Sequence, residues 1–312
     1  MLSSRGRIVS ILFLIFAIII QLNFISPIQS KQINHSNKFN QNNNKDIINN
    51  YYDDIISLLY SKIINTVNYK VLNIFRRKNP TVYTQGLYYY NNSLYESGGL
   101  YQNSTLTKME WPSQNIIQKI NLEEKYFAEG IAASNTNNIL YQLTYKEKEI
   151  LLYSFPNLEF IKKIKMPNEM REGWGFSIGL EQGILYATDG SDKIFVFNIN
   201  KANDELILVK TLSVTYNMKP VYRLNELICD GIYIYANVYL EDKILKINPR
   251  NGQVMYVYNM KSLINYELKN GDLTVNRISR GDVLNGIAYI PEKKSFILTG
   301  KLWNYYYEII FS

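Results

Sequence analysis

The sequence predicts an all-β fold made of five copies of one unit of short strands. A tripeptide pattern recurs five times between positions 85 and 287, and further strand-like runs follow each copy. In this pattern the first residue is polar or aromatic, the second is Gly (Leu in one copy), and the third is apolar. The copies are Gln85-Gly86-Leu87, Glu129-Gly130-Ile131, Trp174-Gly175-Phe176, Glu226-Leu227-Ile228 and Asn285-Gly286-Ile287. Repeats of roughly 40–50 residues built from short strands are typical of a β-propeller.

Each unit continues with a second and a third strand, and four units have a fourth. Second strands are predicted at 94–97, 140–143, 185–188, 234–237 and 297–300. Third strands are predicted at 105–109, 150–153, 194–197, 244–247 and 306–310. Fourth strands are predicted at 116–122, 160–166, 208–214 and 254–260.

The fifth unit ends after its third strand, and an N-terminal strand at about 69–76 is the candidate for the missing one. Pairing this strand into the last blade closes the ring and removes an open sheet edge, which would otherwise invite aggregation. The prediction is therefore a five-bladed β-propeller at 67–312, closed by an N-terminal strand.

The first 66 residues are predicted to lie outside the propeller. Residues 1–30 have two basic residues before a long apolar run, as in a signal peptide or a signal anchor, and both alternatives stay open. Residues 31–66 are predicted to form an Asn-rich linker and a short amphipathic helix. We therefore expect the secretory pathway, with the protein secreted, luminal or anchored by this segment. Three glycosylation sequons, at Asn34, Asn91 and Asn103, agree with that route.

Composition excludes several classes of function. The net charge of +7 is spread over scattered Lys and Arg among acids, so no nucleic-acid partner is expected. The chain has one Cys (Cys229) and one His (His35), which excludes an intrachain disulfide, His-ligated zinc chemistry and His-based nucleophilic triads.

Antiparallel pairing predicts a single mouth that gathers the polar residues. The start of each first strand lies beside the end of each second strand. This places Gln85 with Ser97, Glu129 with Tyr145, Trp174 with Asp189, Asn225 and Glu226 with Tyr239, and Asn285 with Lys301. Apolar walls with a few convergent polar groups are typical of a small-ligand pocket.

Stretches around these residues resemble one known family. They include Tyr83-Thr84-Gln85-Gly86-Leu87, Phe127-Ala128-Glu129-Gly130-Ile131, Glu172-Gly173-Trp174-Gly175, Leu224-Asn225-Glu226-Leu227 and Thr299-Gly300-Lys301-Leu302-Trp303. In order along the chain from about Tyr69 to Ile310, they are similar to the plant and bacterial type of glutaminyl-peptide cyclotransferase.

The resemblance implies an enzyme that converts the N-terminal Gln of a peptide to pyroglutamate and releases ammonia. The partners would be peptides or proteins that begin with Gln, with Glu as a second candidate. We also expect a monomer that meets a membrane only through its N-terminal segment and needs no cofactor for catalysis. A structural metal in the propeller channel stays an open alternative.

The family positions also assign roles. Glu129 would be the general acid and base, while Lys301 and Asn225 would stabilise the substrate and the intermediate. The expected substrate-binding residues are Gln85, Tyr83, Phe127, Trp174, Tyr239 and Tyr145. Four positions depart from the usual family residues: Tyr83 replaces Phe, Ala128 replaces Gly, and Tyr145 and Tyr239 replace Trp.

Two other classes of function stay open at this point. A non-catalytic propeller could bind a peptide or protein partner at the same mouth. A metal-dependent hydrolase or lactonase would need several acids and amides at the axis, where the charge of Lys301 would repel a cation.

Overall fold

Five four-stranded antiparallel sheets form the blades of a propeller in the computed structural model. The structure describes residues 69–179, 183–200 and 202–312. The predicted signal segment, the linker, the amphipathic helix and the Asn34 sequon lie outside the described residues. No helix in the described part of the chain is long and apolar enough to cross a membrane.

The blades follow one another along the chain, and each of the first four runs from its innermost to its outermost strand. Blade 1 contains β2 (Thr84–Tyr90), β3 (Ser93–Gly98), β4 (Thr105–Glu110) and β5 (Ile116–Asn121). Blade 2 contains β6 (Ala128–Ser134), β7 (Ile139–Thr144), β8 (Glu149–Ser154) and β9 (Phe160–Lys165). Blade 3 contains β10 (Phe176–Ile178), β11 (Ile184–Ala187), β12 (Lys193–Ile199) and β13 (Leu206–Ser213).

A small hairpin, β14 (Thr215–Tyr216) and β15 (Lys219–Pro220), precedes the fourth blade. Blade 4 contains β16 (Leu224–Cys229), β17 (Ile234–Val238), β18 (Lys243–Ile247) and β19 (Val254–Asn259). Blade 5 contains β20 (Leu284–Ile290), β21 (Ser295–Gly300), β22 (Tyr305–Phe311) and, outermost, β1 (Tyr69–Arg76). The five predicted units are therefore confirmed.

The ring closes as the sequence predicted. Strand β1 pairs antiparallel with β22, so that Lys70 lies opposite Ile310 and Phe75 lies opposite Tyr306. One end of the chain thus completes a sheet begun at the other end, and the last blade does not end on an unpaired third strand.

Burial decreases from the axis outward, and this gradient explains the residue patterns. Strand β6 is buried at all seven positions, whereas the outer strand β5 has no buried residue and alternates between exposed and half-buried positions. Five apolar clusters are found among the described residues, one between each pair of neighbouring blades. Because both faces of a blade are covered, the inner strands consist mainly of apolar and small residues.

The inner strands approach one another so closely at the axis that most blades need a glycine there. A Cβ on Gly175 would lie 2.2 Å from the carbonyl oxygen of Asn225, and a Cβ on Gly130 would lie 2.5 Å from the nitrogen of Phe176. A side chain at either position would push two blades apart, because neighbouring backbone cannot give way.

The fourth copy of the repeat has a different register from the predicted one. Leu224 pairs with Val238 and Leu227 with Ala236, as Ala128 pairs with Thr144 and Ile131 with Gln142 in blade 2. The two residues between each pair form a bulge, so Asn225 is equivalent to Glu129, and Glu226 occupies the glycine position. The prediction of Glu226-Leu227-Ile228 as the fourth copy was wrong by one residue.

The insertion between blades 4 and 5 forms two helices that the repeat pattern did not reveal. They are α1 (Lys261–Asn270) and α2 (Val275–Ser279). The buried carboxylate of Glu267 in α1 accepts the backbone N–H groups of Asn304 and Tyr305, both at 3.0 Å. This helix therefore fixes the turn that follows Lys301.

Two surface expectations can be compared with the structure. The sequon residues Asn91 and Asn103 are exposed and lie in turns, as predicted, and their glycosylation stays a prediction. Cys229 ends β16 and is partly exposed, whereas its position in a predicted inner strand predicts a small buried side chain.

A buried ion pair lies at the seam between the last blade and the first. Arg77 follows β1, and its Nη2 contacts Glu96 Oε1 of blade 1 at 2.7 Å. The same guanidinium donates to the hydroxyl of Thr299 in blade 5 at 3.3 Å, and the hydroxyl of Tyr306 donates to Glu96 Oε2 at 2.8 Å. These contacts join both sides of the seam without help from a disulfide.

We predict that Glu96→Gln destabilises the protein by about 3–5 kcal/mol, because it leaves the buried guanidinium of Arg77 without a counter-charge. The midpoint of urea unfolding measures this loss. The control is Glu123→Gln, which removes the partner of Lys125 from an exposed pair, and its effect should stay within about 1 kcal/mol. Equal effects of the two substitutions would contradict a structural role for the seam.

Candidate active site

All nine side chains predicted for the site line one cavity of about 160 Å³ at the mouth of the propeller. They are Tyr83, Gln85, Phe127, Glu129, Tyr145, Trp174, Asn225, Tyr239 and Lys301. Four of the five blades contribute to the cavity from the starts of their first strands, and Lys301 comes from the turn after β21. Trp174 lies two residues before β10, which is shorter than the sequence suggested.

The polar side chains form the floor of this cavity and the aromatic side chains form its wall. Gln85, Glu129, Asn225 and Lys301 are each at most 4% exposed. The five aromatic side chains are half-buried. A ligand therefore meets aromatic rings first and the charged groups last.

A hydrogen-bonded chain of three residues orders the floor. Asn285 Nδ2 donates to Gln85 Oε1 at 3.2 Å, and Gln85 Nε2 donates to Glu129 Oε1 at 3.2 Å. Asn285 is also tied to the backbone by a 3.0 Å bond to the carbonyl of Thr84. These hydrogen bonds thus orient the Glu129 carboxyl, and the first of them begins at Asn285, two blades away.

Burial raises the pKa of Glu129 well above its ordinary value of 4.5. The positive charge of Lys301 opposes this rise, and the carboxylates of Glu172 and Glu147 at the rim add to it. A carboxyl with a raised pKa accepts a proton more readily than an exposed glutamate does and can return it, as general acid and base catalysis requires.

Lys301 is held between two tyrosine rings. Its Nζ lies 4.8 Å from the ring centre of Tyr83 and 4.9 Å from that of Tyr239. Burial lowers the pKa of Lys301 to about 8, although the nearby carboxylates of Glu129, Asp282 and Glu226 favour its charged form. At neutral pH the side chain is mainly an ammonium group, positioned by ring faces that attract cations.

The aromatic wall is built from ring-to-ring contacts. Phe127 lies 6.3 Å from Tyr83 and 5.6 Å from Tyr145, and Trp174 lies 5.7 Å from Tyr239. Two of these pairs meet edge to face, which is a favourable arrangement for aromatic rings. These contacts restrict the rings, so the cavity keeps its shape without a ligand.

Hydroxyl groups of second strands hold the first strands of the next blade in place. Ser97 donates to the carbonyl of Glu129 at 2.5 Å, and Thr188 donates to the carbonyl of Asn225 at 2.9 Å. The main chain of each of these two polar site residues is therefore fixed by the preceding blade.

Glu226 lies on the axis and was not expected to act across it. Its Oε1 accepts the N–H of Leu87 from blade 1 at 3.0 Å, and the N–H groups of Phe176 and Leu227 also interact with the carboxyl. Each of these N–H groups lies two residues beyond a site residue: Gln85, Trp174 and Asn225. One carboxyl therefore links the three first strands that present those residues.

Sequence reasoning missed Asn285 and Glu226 as positioning residues for the site. Asn285 occupies the first position of the fifth copy of the repeat, which is a signal that could have identified it. For Glu226 the signal was the absence of glycine in one copy of five, and the register error concealed it.

No metal site is evident in the described part of the chain. Residues 69–179, 183–200 and 202–312 contain no group of three or more His, Cys, Asp or Glu side chains that could hold a metal ion. The donor set that a structural channel metal would need is therefore not found in these residues.

A larger groove between blades 3 and 4 differs in character from the cavity at the mouth. It measures about 810 Å³, and its described lining includes Ile184, Val196, Ile232, Lys210 and Arg250 but no carboxylate. It lacks an acid and base pair, so the smaller cavity is the candidate active site.

The fold and the cavity can now be set beside known proteins. A family model described as glutamine cyclotransferase covers residues 52–311, so the chain belongs to the glutamine cyclotransferase family.

Two relatives agree with this assignment. A glutaminyl-peptide cyclotransferase from Arabidopsis thaliana is 30% identical over 234 residues, which is 74% of this chain and 68% of the relative. The crystal structure of Myxococcus xanthus glutaminyl cyclase matches with a TM-score of 0.67 at 28% identity, covering 77% of this chain and 95% of that one. These matches confirm the resemblance and the predicted fold.

We predict that Glu226→Gln and Glu226→Ala have different effects on stability. The Gln amide oxygen can still accept the N–H of Leu87, whereas Ala leaves that buried donor unpaired, at a cost of about 1–3 kcal/mol before any cavity effect. Urea unfolding of both variants at pH 4 measures this difference, and equal losses would contradict the link across the axis.

The pH dependence of the Gln variant provides a separate check. Burial raises the pKa of Glu226 well above 4.5, so the folded state keeps a proton that the unfolded state releases. The resulting stabilisation is complete below pH 4.5 and is lost as the pH rises through the folded-state pKa. The Gln variant should therefore gain stability relative to the native protein between pH 4 and pH 7. An unchanged difference would show that this carboxyl has an ordinary pKa.

Proposed function

We propose that this protein converts the N-terminal Gln of peptides and proteins to pyroglutamate, with release of ammonia and with Glu129 as general acid and base. The observation that carries the proposal is that Glu129 and Lys301 are both buried in one small aromatic cavity. Family membership supports the reaction, and the geometry supports the roles.

The first step is attack of the neutral α-amine on the γ-carboxamide carbon of the same residue. A new C–N bond forms, the carbonyl electrons move to oxygen, and the ring nitrogen becomes positively charged. The Glu129 carboxylate accepts a proton from that nitrogen. Its raised pKa makes it a stronger base than an exposed glutamate.

The second step returns the same proton. The oxyanion reforms the carbonyl, the bond to the original amide nitrogen breaks, and Glu129 donates its proton to the departing NH₂ group. Ammonia leaves, and Glu129 is again a carboxylate. One carboxyl that accepts and then donates is sufficient, so the reaction needs no second acid and no cofactor.

Lys301 and Asn225 would stabilise the oxyanion between these steps. The ammonium of Lys301 is positioned by the two tyrosine rings, and it needs no rearrangement when negative charge develops. Asn225 is 3% exposed, and its buried Oδ1 has no hydrogen-bond partner among the described residues. This oxygen could accept the N–H groups of the substrate while the side-chain amide donates.

The aromatic wall would select the reactive conformer. Cyclisation requires the Gln side chain to fold back on its own amine, and a cavity of about 160 Å³ admits one compact residue. Confinement in that conformer removes much of the entropy cost of ring closure. Binding of a peptide partner without turnover remains the second candidate, and it would not require a buried acid and base.

For the cell, we propose that the protein enters the secretory pathway through residues 1–30 and acts as a monomer. The apolar N-terminal run and the exposed sequon residues Asn91 and Asn103 support that route. Sequencing the mature N-terminus would distinguish a cleaved signal from an anchor.

We predict that Glu129→Gln lowers kcat for a Gln-initiated peptide by about 10²–10⁴-fold, because the amide cannot take up the proton of the attacking amine. Ammonia release and loss of the free amine measure the rate. The control is Glu110→Gln at the exposed end of β4 in blade 1, which should leave the rate unchanged. Full activity in the Glu129 variant would refute the mechanism.

We predict a narrow pH optimum near 8. Activity rises as the substrate amine loses its proton at about 7.7–8.0. It falls as Lys301 loses its charge, with a pKa of about 8. Lys301→Met should lower kcat by about 10²–10³-fold and remove the alkaline decline.

The matched control for this pH profile is Lys125→Met, which removes an exposed ammonium outside the cavity. Its pH profile should follow that of the native protein. An alkaline decline that persists in Lys301→Met would assign that decline to another group.

A further inference from the structure

We propose that the hydroxyl groups of Tyr83 and Tyr239 together bind the carbonyl oxygen of the peptide bond that follows the substrate Gln. This inference rests on the proposed function and extends it. It makes the two tyrosines specificity-determining residues that favour peptides over smaller Gln derivatives.

The two hydroxyl groups converge on one point at the edge of the cavity. A Cβ on Gly281 would lie 3.0 Å from the Tyr239 hydroxyl and 3.4 Å from the Tyr83 hydroxyl. Gly281 has a φ of +104°, in the region that favours glycine, and it follows helix α2. Both hydroxyls therefore lie within 3.4 Å of one point beside the Gly281 backbone, close enough together for one acceptor atom in the cavity to contact both.

These hydroxyls have no hydrogen-bond partner among the described residues, in contrast to their neighbours. The hydroxyl of Tyr101 on the same rim donates to Glu147 at 2.9 Å. The hydroxyl of Tyr145 interacts with Lys146 and Glu172. Tyr83 and Tyr239 line the cavity and keep their hydroxyls available.

The rings and the hydroxyl groups of Tyr83 and Tyr239 have different roles. The ring faces contact the ammonium of Lys301 at 4.8 and 4.9 Å, and a phenylalanine would preserve that contact. The hydroxyls are not needed for it. Burial raises the pKa of Tyr83, so its hydroxyl remains a donor through the whole working pH range.

The depth of the cavity places the substrate carbonyl near this pair. The α-amine and the γ-carboxamide must reach the buried floor at Glu129, whereas the chain beyond the first residue must leave through the half-buried aromatic mouth. The carbonyl carbon is two bonds from the reacting amine, so it lies between floor and mouth. A carbonyl oxygen has two lone pairs and can accept from two hydroxyls at once.

The test compares two substrates in native protein, Tyr83→Phe, Tyr239→Phe and the double variant. One substrate is the dipeptide Gln-Ala amide. The other is 4-aminopentanamide, in which a methyl group replaces the carbonyl group while the amine and the carboxamide are kept, so that no acceptor faces the two hydroxyls. Each single substitution should lower kcat/KM for the dipeptide by about 2- to 12-fold, as expected for loss of one neutral hydrogen bond. The rate with 4-aminopentanamide should change less than about 2-fold.

If 4-aminopentanamide reacts too slowly to measure, its inhibition constant against the dipeptide replaces the rate. Tyr101→Phe is the matched control, since it removes a rim hydroxyl that already has a partner, and it should affect neither substrate. An equal fall for both substrates, or no fall for the dipeptide, would overturn the inference. Failure of the native protein to release ammonia from the dipeptide would instead refute the proposed function.

Discussion

The close approach of five first strands at one axis is the constraint on which the rest of the structure depends. At Gly130 and Gly175 the backbones of neighbouring blades are so close that no side chain fits between them. In blade 4, Glu226 fills the corresponding position and reaches across the axis to the N–H of Leu87. The residue before each of these positions is thereby forced toward the mouth. The same bulge therefore serves both strand packing and the candidate active site. It allows the strands to pack closely, and it directs the preceding side chain into the cavity.

Burial at the end of this axis has opposite effects on the two ionisable groups of the site. It raises the pKa of Glu129 and lowers that of Lys301, so both move toward neutral pH from their ordinary values. At neutral pH neither shift favours folding, since each reflects the cost of removing from water a charge that the unfolded chain keeps. The stabilisation that offsets this cost lies elsewhere, in the five apolar clusters between blades and in the buried contacts of Arg77 with Glu96 at the seam. The site is therefore a destabilised region supported by a stable ring.

Most of the fold and the nine cavity residues could be predicted from the sequence. Because the units repeat, residues at equivalent positions in distant parts of the chain can be placed together in space, which a single strand does not allow. Strand β1 could be assigned to the last blade because the fifth unit lacked a strand. The register of the fourth copy could not be read correctly, since Glu226 replaces the glycine that marks the other copies. Helices α1 and α2 were missed because an insertion has no repeat to compare with. The hydrogen bonds from Asn285 to Gln85 and from Gln85 to Glu129 join side chains of three blades. The positions of the strands in the sequence do not specify such contacts.

The tyrosines of the wall show why residue type alone could not define the site. As members of an aromatic wall, Tyr83 and Tyr239 are nearly equivalent to the Phe and Trp usual in the family, and the rings do contact Lys301 as a wall would. Both hydroxyls lie near the backbone of Gly281, which has a positive φ and no side chain. That glycine follows an insertion outside the repeat. In the proposed reaction the repeated strands would thus supply Glu129 and the amide side chains, while a loop particular to one junction lies beside the two hydroxyls that we propose bind more of the substrate.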